Sequence, residues 1–168
     1  MMTQIQKITP HLWFSYNAEE AVDFYTGIFP DSKVKRVAYY TNEGYDVHGM
    51  PAGTVLTIEF DLAGQEFIAL NGGNQPFTFD ESISFIVNCS DQKEVDYYWE
   101  QLSAGGDERA QVCGWLKDKY GVSWQVLPEI LSRYLTDADP AKAASVMKAM
   151  LQMKKINISA LEKAYENA

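Results

Sequence analysis

Few side chains in this sequence can do chemistry. It holds two histidines, His11 and His48, and two cysteines, Cys89 and Cys113. His11 sits in the β-rich aromatic run Ile8-Thr-Pro-His11-Leu12-Trp13-Phe14-Ser15-Tyr16, where strand alternation places it on one face with Trp13 and Ser15. An imidazole there can contact a ligand, transfer a proton near neutral pH, or serve as a hydrogen-bonded structural side chain. His48 falls in a polar, glycine-bearing loop at 41–53, and neither histidine has the partner pattern of a Ser/His/Asp nucleophile. The cysteines form no CxxC pair, so dithiol exchange and thiolate zinc have no spacing to support them; reduced structural thiols are expected. Trp13, Trp115 and Trp124 supply large aromatic surfaces, which fill a core or orient a planar ligand.

Composition narrows the partners. The 168 residues suffice for one globular unit, or two small modules sharing a core, without disulfide or metal staples. Apolar residues make up 46% and charged ones 22%, the balance of a chain that folds alone. A formal net charge of −9 repels phosphate backbones and anionic lipid, so no nucleic-acid or membrane partner is expected. The start carries no apolar run of signal-peptide length, and no stretch approaches the ~18 apolar residues of a membrane span, so a cytoplasmic location is expected.

The elements that must position these residues repeat. The His11 strand runs into Asn17-Ala-Glu-Glu20, a capping pattern, and Ala21, Val22, Tyr25, Ile28 and Phe29 recur at helical spacing until Pro30-Asp31. Strands follow at about 33–40, 54–62 and 65–71, the last two joined by Ala63-Gly64 as a tight hairpin. The order then returns: a strand at 82–89, a cap at Asp91-Gln-Lys-Glu94, and a helix with Val95, Tyr98, Trp99 and Leu102 buried, stopped by Gly105-Gly106. Strands at 111–117 and 122–127 flank the turn Asp118-Lys-Tyr-Gly121, and a further short strand is expected near 108–110. The tail reads as helix at 129–135, a second helix opened by Asp139-Pro140 with a Val146, Met147, Met150, Leu151 stripe, and a third opened by a Ser159–Glu162 capping box. The expected organisation is a first module at 1–79, a second at 80–128 and a helical extension at 129–168, within one globular unit.

Several blocks carry a family resemblance. They are Leu12-Trp-Phe with Ala18 to Tyr25 and Phe29-Pro-Asp-Ser32, Phe67 to Gly73, Ile83 to Cys89, and above all Cys113-Gly-Trp-Leu-Lys-Asp-Lys-Tyr-Gly-Val-Ser-Trp-Gln-Val-Leu-Pro128. Together they resemble the PhnB-like branch of the vicinal oxygen chelate superfamily, the group of glyoxalase I and bleomycin-resistance proteins, and the tail resembles the variant with a helical extension. The resemblance implies an α+β fold of two β-α-β-β-β modules forming a curved eight-stranded mixed sheet around a ligand cavity, as a homodimer.

The resemblance also implies where a metal would sit in metal-using relatives. The matching positions read His11, Ala69, Ser84 and Gln125, one imidazole and no carboxylate, so no metal or other cofactor is expected to be held tightly. The branch is often labelled 3-demethylubiquinone methyltransferase-like. A glycine-rich turn after the first strand, the usual cradle for such a cofactor, is missing, because Ser15-Tyr16-Asn17 leads directly into the helix. The expected function is binding or sequestration of a small, partly aromatic molecule, with Trp13, Ser84, Trp115 and Trp124 as ligand contacts and His11 and Gln125 as the polar pair. The alternative is an enzyme of the same fold, using His11 as acid/base or a metal on His11 and Gln125.

Overall fold

The structure, a computed structural model, describes residues 5–168. It divides into two compact units, one running to Phe77 and the other Thr78–Ala168.

Alternation sets the first unit. In β1 (His11–Phe14) Leu12 and Phe14 are buried while His11 and Trp13 point outward. Helix α1 (Ala18–Ile28) turns Ala18, Ala21, Val22, Tyr25 and Ile28 inward, the apolar stripe its sequence spacing dictates. Then come β2 (Lys33–Tyr39), the one-turn helix α2 (Tyr45–His48), β3 (Val55–Leu62) and β4 (Gln65–Asn71). The sheet order is β1-β4-β3-β2, with β1 parallel to β4 and the other pairs antiparallel. Ile58, Phe60, Leu62, Phe67 and Ala69 join Leu12 and Phe14 as buried residues of β3, β4 and β1. Ala63 (φ 48°) and Gly64 (φ 86°) make the expected two-residue hairpin turn.

The start of α1 departs from expectation. Asn17 adopts φ −124°, ψ 29°, short of the extended backbone that aims a cap side chain at the first turn, and it makes no cap hydrogen bond. Asn71, at the end of β4, does this work instead. Its Oδ1 accepts from the Ala18 N–H (2.9 Å), and its Nδ2 donates to Glu19 Oε2 (2.6 Å) and to the Val55 carbonyl (3.1 Å). One buried amide thus ties the helix to two strands.

The second unit repeats the plan with β5 (Phe85–Cys89), α3 (Gln92–Ser103), β6 (Trp115–Lys117) and β7 (Ser123–Pro128), ordered β5-β7-β6 with β5 parallel to β7. Here the capping box forms: Asp91 Oδ1 accepts from Glu94 N–H (2.9 Å), and Glu94 Oε2 accepts from Ser90 N–H (2.7 Å). The described strands number seven, in sheets of four and three, not the eight of a single sheet. The short strand expected near 108–110 is a 3-10 turn, with Asp107 accepting from Arg109 N–H (3.0 Å). The strand expected to begin at 111 is instead folded back, because Cys113 (φ 51°) and Gly114 (φ 84°) form a turn that pairs Val112 with Trp115. A fourth strand is thereby reduced to one bridge.

The tail helices α4 (Glu129–Leu135), α5 (Pro140–Met150) and α6 (Ile158–Glu166) belong to this second unit. Asp139 caps α5 as expected, whereas α6 starts earlier than the Ser159 box, on Asn157, whose Oδ1 accepts from Ala160 N–H (2.9 Å). Between α5 and α6 the Met153 and Lys154 carbonyls accept from Cys113 and Gly114 N–H, both at 2.8 Å. Any side chain at Gly114 would lie 2.6 Å from Leu127 and 3.1 Å from the Val126 carbonyl, so glycine is required where the tail seals the turn. Gln92 completes the seal, donating to the Ile156 carbonyl (3.1 Å) and accepting from Ile158 N–H (2.8 Å). Among the described residues, no helix is long and apolar enough to cross a membrane.

Replacing Asn71 with Ala should lower the unfolding free energy by about 2 kcal/mol, since it strands the buried Ala18 N–H and the half-buried Val55 carbonyl. Asn17→Ala should change it by less than ~0.5 kcal/mol. Urea denaturation of the two variants reads the contrast, and equal losses would refute this account of the helix start.

Candidate functional site

Because α1 covers one side of the first sheet, the register decides what the other side displays. His11 lies opposite Ile68, Ile68 opposite Glu59 and Glu59 opposite Arg36; one row on, Trp13, Leu70, Thr57 and Ala38 lie side by side. The uncovered face therefore combines an imidazole, an indole and the half-buried Ile68 and Leu70.

Trp13 is 37% exposed and held in place. Its Nε1–H donates to the Gly73 carbonyl (3.2 Å), and Phe77 meets it edge-on at 5.4 Å. A Cβ on Gly72 would fall 2.1 Å from the indole, so the ring lies against the backbone there and only glycine leaves room for it. With its N–H already used, Trp13 has ring surface to offer a ligand.

The carboxylates on this face are committed. Glu59 pairs with Arg36 (2.6 Å), while Asp61 (3.6 Å) and Glu66 pair with Lys35. The hydrogen bond from Lys35 holds Glu66 below the usual carboxylate range, and the same bond raises the lysine. Glu59 is also two strands from His11, about 10 Å at the normal strand spacing. Ala69, the expected neighbour of His11, is buried at 0% on the helix side with Leu12. His48 is likewise unavailable: Nδ1 accepts from Met50 N–H (3.0 Å) and Nε2 lies 3.1 Å from the Glu43 carbonyl, with the ring packed on Tyr40.

In the second unit α3 covers the other kind of face. Leu116 and Trp124 lie opposite one another and both are buried, Trp124 at 3%. Trp124 donates from Nε1 to Asp118 Oδ2 (2.9 Å), while Asp118 Oδ1 also accepts from Tyr120 and Val122 N–H. This carboxylate organises the β6–β7 turn, and Trp124, expected as a ligand contact, is buried with its indole N–H bonded inside the unit. The face away from α3 carries Trp115 opposite Gln125, Gln125 opposite Ile86, and Lys117 opposite Ser123. Gln125 Nε2 donates to Ser84 Oγ (2.9 Å), so Ser84, Gln125 and Trp115 lie together. Cys89 is buried, and burial pushes its thiol up to about 12, which removes it as a nucleophile.

A metal does not fit the donors present. Ala69 has no donor atom and is buried on the helix side, and Ser84 and Gln125 are neutral and bonded to each other. Among the described residues, no group of three or more His, Cys, Asp or Glu side chains converges to hold an ion. Nor does a nucleotide-type cofactor find its usual cradle at the β1–α1 turn, Ser15-Tyr16-Asn17, where α1 is approached by Asn71 and Glu19.

Sequence reasoning missed Asn71, Asp118, Lys117 and the role of Gly72. The glycine pair after β4 was legible only as a turn, and nothing in sequence spacing brings Gly72 to Trp13, 59 positions away in the chain.

Two modules, each with its first strand paired in parallel to its last and one face covered by a helix, define the architecture. The family model for 3-demethylubiquinone-9 3-methyltransferase matches residues 6–127. The PhnB protein from Bacillus cereus, which carries the same methyltransferase description, is 36% identical, covering 73% of this chain and 99% of its own at a TM-score of 0.64. A Pseudomonas aeruginosa protein is 19% identical over 74% of this chain and 98% of its own, with a TM-score of 0.55. The fosfomycin resistance protein FosX from Listeria monocytogenes, 16% identical over 82% of this chain and 100% of its own at 0.50, shares the fold. Comparison with curated proteins gives no match. The chain therefore belongs to the 3-demethylubiquinone-9 3-methyltransferase family, the PhnB-like branch of the vicinal oxygen chelate superfamily.

Zinc, manganese or nickel titrated into the purified protein should bind weakly, and elemental analysis should find no stoichiometric metal. One equivalent of metal, or sub-micromolar affinity abolished by His11→Ala, would reverse this reading of the donors.

Proposed function

We propose that this protein binds or sequesters a small, partly aromatic molecule on the sheet faces away from the helices, without a tightly held metal. The observation that carries the reading is the pairing of a tryptophan with a polar side chain on each bare face: Trp13 with His11, and Trp115 with Gln125 and Ser84. Ring surface supplies most of the binding free energy and the polar groups supply orientation. A second reading, catalysis by His11 as acid or base, is favoured by one fact. His11 is exposed on its strand with no hydrogen-bond partner among the described residues, so its imidazole is free to exchange a proton with a ligand. Methyl transfer rests on the family's description, and the β1–α1 turn gives it no support.

Titration with 4-hydroxybenzamide, followed by tryptophan fluorescence, should saturate at a fixed stoichiometry and return the probe unchanged. Trp13→Ala or Gln125→Ala should weaken binding about tenfold, the size of a lost ring contact or buried polar contact. Absence of saturable binding would sink the reading, and chemical conversion abolished by His11→Ala would establish the catalytic one. S-adenosylmethionine in the same assay tests the family's label directly.

A homodimer is also proposed, because Met147 and Leu151 remain 40% and 56% exposed on the tail. Sedimentation equilibrium should give twice the chain mass, reduced to a monomer by Met147→Glu with Leu151→Glu; a monomer in the unaltered protein refutes it.

A further inference from the structure

The face of the second sheet away from α3 carries a segment of the chain itself. Residues 78–84 precede β5 and lie outside its ladder. Side chains hold them to the face. Lys117 Nζ pairs with Glu81 Oε1 (2.5 Å), Gln125 Nε2 donates to Ser84 Oγ (2.9 Å), and Ser123 Oγ donates to the Asp80 carbonyl (3.3 Å). The strand residue Ser123 is only 2% exposed. Two of these contacts use polar groups that a ligand on this face would need.

Charge gives the arrangement a direction. Lys117 is low on the face, its side chain 22% exposed, whereas Glu81 sits at the rim with 59% exposed. The neighbouring acids have partners of their own: Asp80 Oδ1 accepts from Ser82 N–H and Oγ–H, and Asp107 pairs with Arg109 (2.9 Å). Glu81 is therefore the carboxylate joined directly to the lysine, and that bond holds it below the usual carboxylate range. A lowered carboxylate keeps its charge through neutral pH and loses the contact only in acid, so the pair is in place under ordinary conditions. Being exposed, it is also weak enough to exchange.

We infer that residues 80–84 form an occluding strap that mimics the ligand, and that the ligand is a planar molecule carrying an anionic oxygen and a second oxygen acceptor. The anionic oxygen replaces Glu81 on Lys117, the acceptor replaces Ser84 on Gln125, and the ring lies beside Trp115. Lys117 and Gln125 are diagonal neighbours on adjacent strands, about 7–8 Å apart at the backbone, which suits oxygens at opposite ends of one aromatic ring. The inference rests on the binding reading above and adds to it the class of ligand and the element that must move.

Calorimetry with 4-hydroxybenzoate and its neutral amide, 4-hydroxybenzamide, tests it. The acid should bind the unaltered protein more tightly than the amide. Glu81→Gln should strengthen the acid about fivefold to tenfold and the amide by less, because a charged competitor for Lys117 has been removed. Lys117→Met should erase the preference for the acid. In the unaltered protein, hydrogen exchange of a peptide spanning 78–84 should speed up when the acid binds, a readout that needs no variant. Equal or weaker acid binding by Glu81→Gln, a preference that survives Lys117→Met, or an unchanged strap overturns the inference. Amide binding without acid preference overturns this inference alone, and binding of neither probe overturns the binding reading with it.

Discussion

Everything chemical in this fold depends on which side of each sheet its helix covers. A strand sends alternate side chains to opposite faces, so once α1 and α3 claim one face, every other residue is committed to the interior. Leu12, Phe14, Ala69, Leu116 and Trp124 take that side, and His11, Trp13, Trp115, Lys117 and Gln125 take the other. The register across the strands then decides which polar groups become neighbours. A slip of one residue would bury His11 and expose Leu12, which explains why the first sheet is pinned at its end by a buried amide, Asn71, bonded to α1 and β3 at once.

Repetition of the plan has not produced equal halves. Between its second and third strands the first unit carries residues 40–54, folded around α2 and clamped by His48 against Tyr40, Glu43 and Met50. The corresponding connection in the second unit is the two-residue turn Cys113-Gly114, and the strand before it has shrunk to the Val112 bridge. A three-stranded sheet leaves backbone donors at that turn unpaired, and the chain between α5 and α6 supplies the missing acceptors. The helical extension is therefore part of how the second unit satisfies its backbone. Sealing the turn also fixes β6, and with it the placement of Trp115 and Lys117.

What the sequence disclosed follows the range of each interaction. The strand of His11, both long helices, the Ala63-Gly64 turn and the Asp91 and Asp139 caps depend on residues within a few positions, and they are where local pattern put them. The face shared by His11 and Trp13 follows from alternation alone, as does the cluster of Trp115 and Gln125 once register is known. The burial of Trp124 was not legible, because it depends on Asp118, whose carboxylate gives the indole N–H an interior partner. The same parity argument sends Ala69 inward. The α1 cap was misassigned because a residue 53 positions away along the chain competes successfully with the local one.

The family's methyltransferase description and the geometry make different demands. Transfer of a methyl group from a soluble cofactor needs a cradle for that cofactor, most economically backbone N–H groups at a helix start approached without side-chain obstruction. In the first unit that helix start is already occupied, since Asn71 takes the Ala18 N–H and Glu19 places a carboxylate beside it. At the start of α3 the donors are likewise taken, Glu94 N–H by Asp91 and Ser90 N–H by Glu94. At both helix starts a side-chain oxygen of the chain itself takes one first-turn N–H, and the carboxylates of Glu19 and Asp91 placed there disfavour a negatively charged group. The sheet faces away from the helices, in contrast, hold a partly exposed indole, Trp13, and an imidazole, His11, that has no hydrogen-bond partner among the described residues.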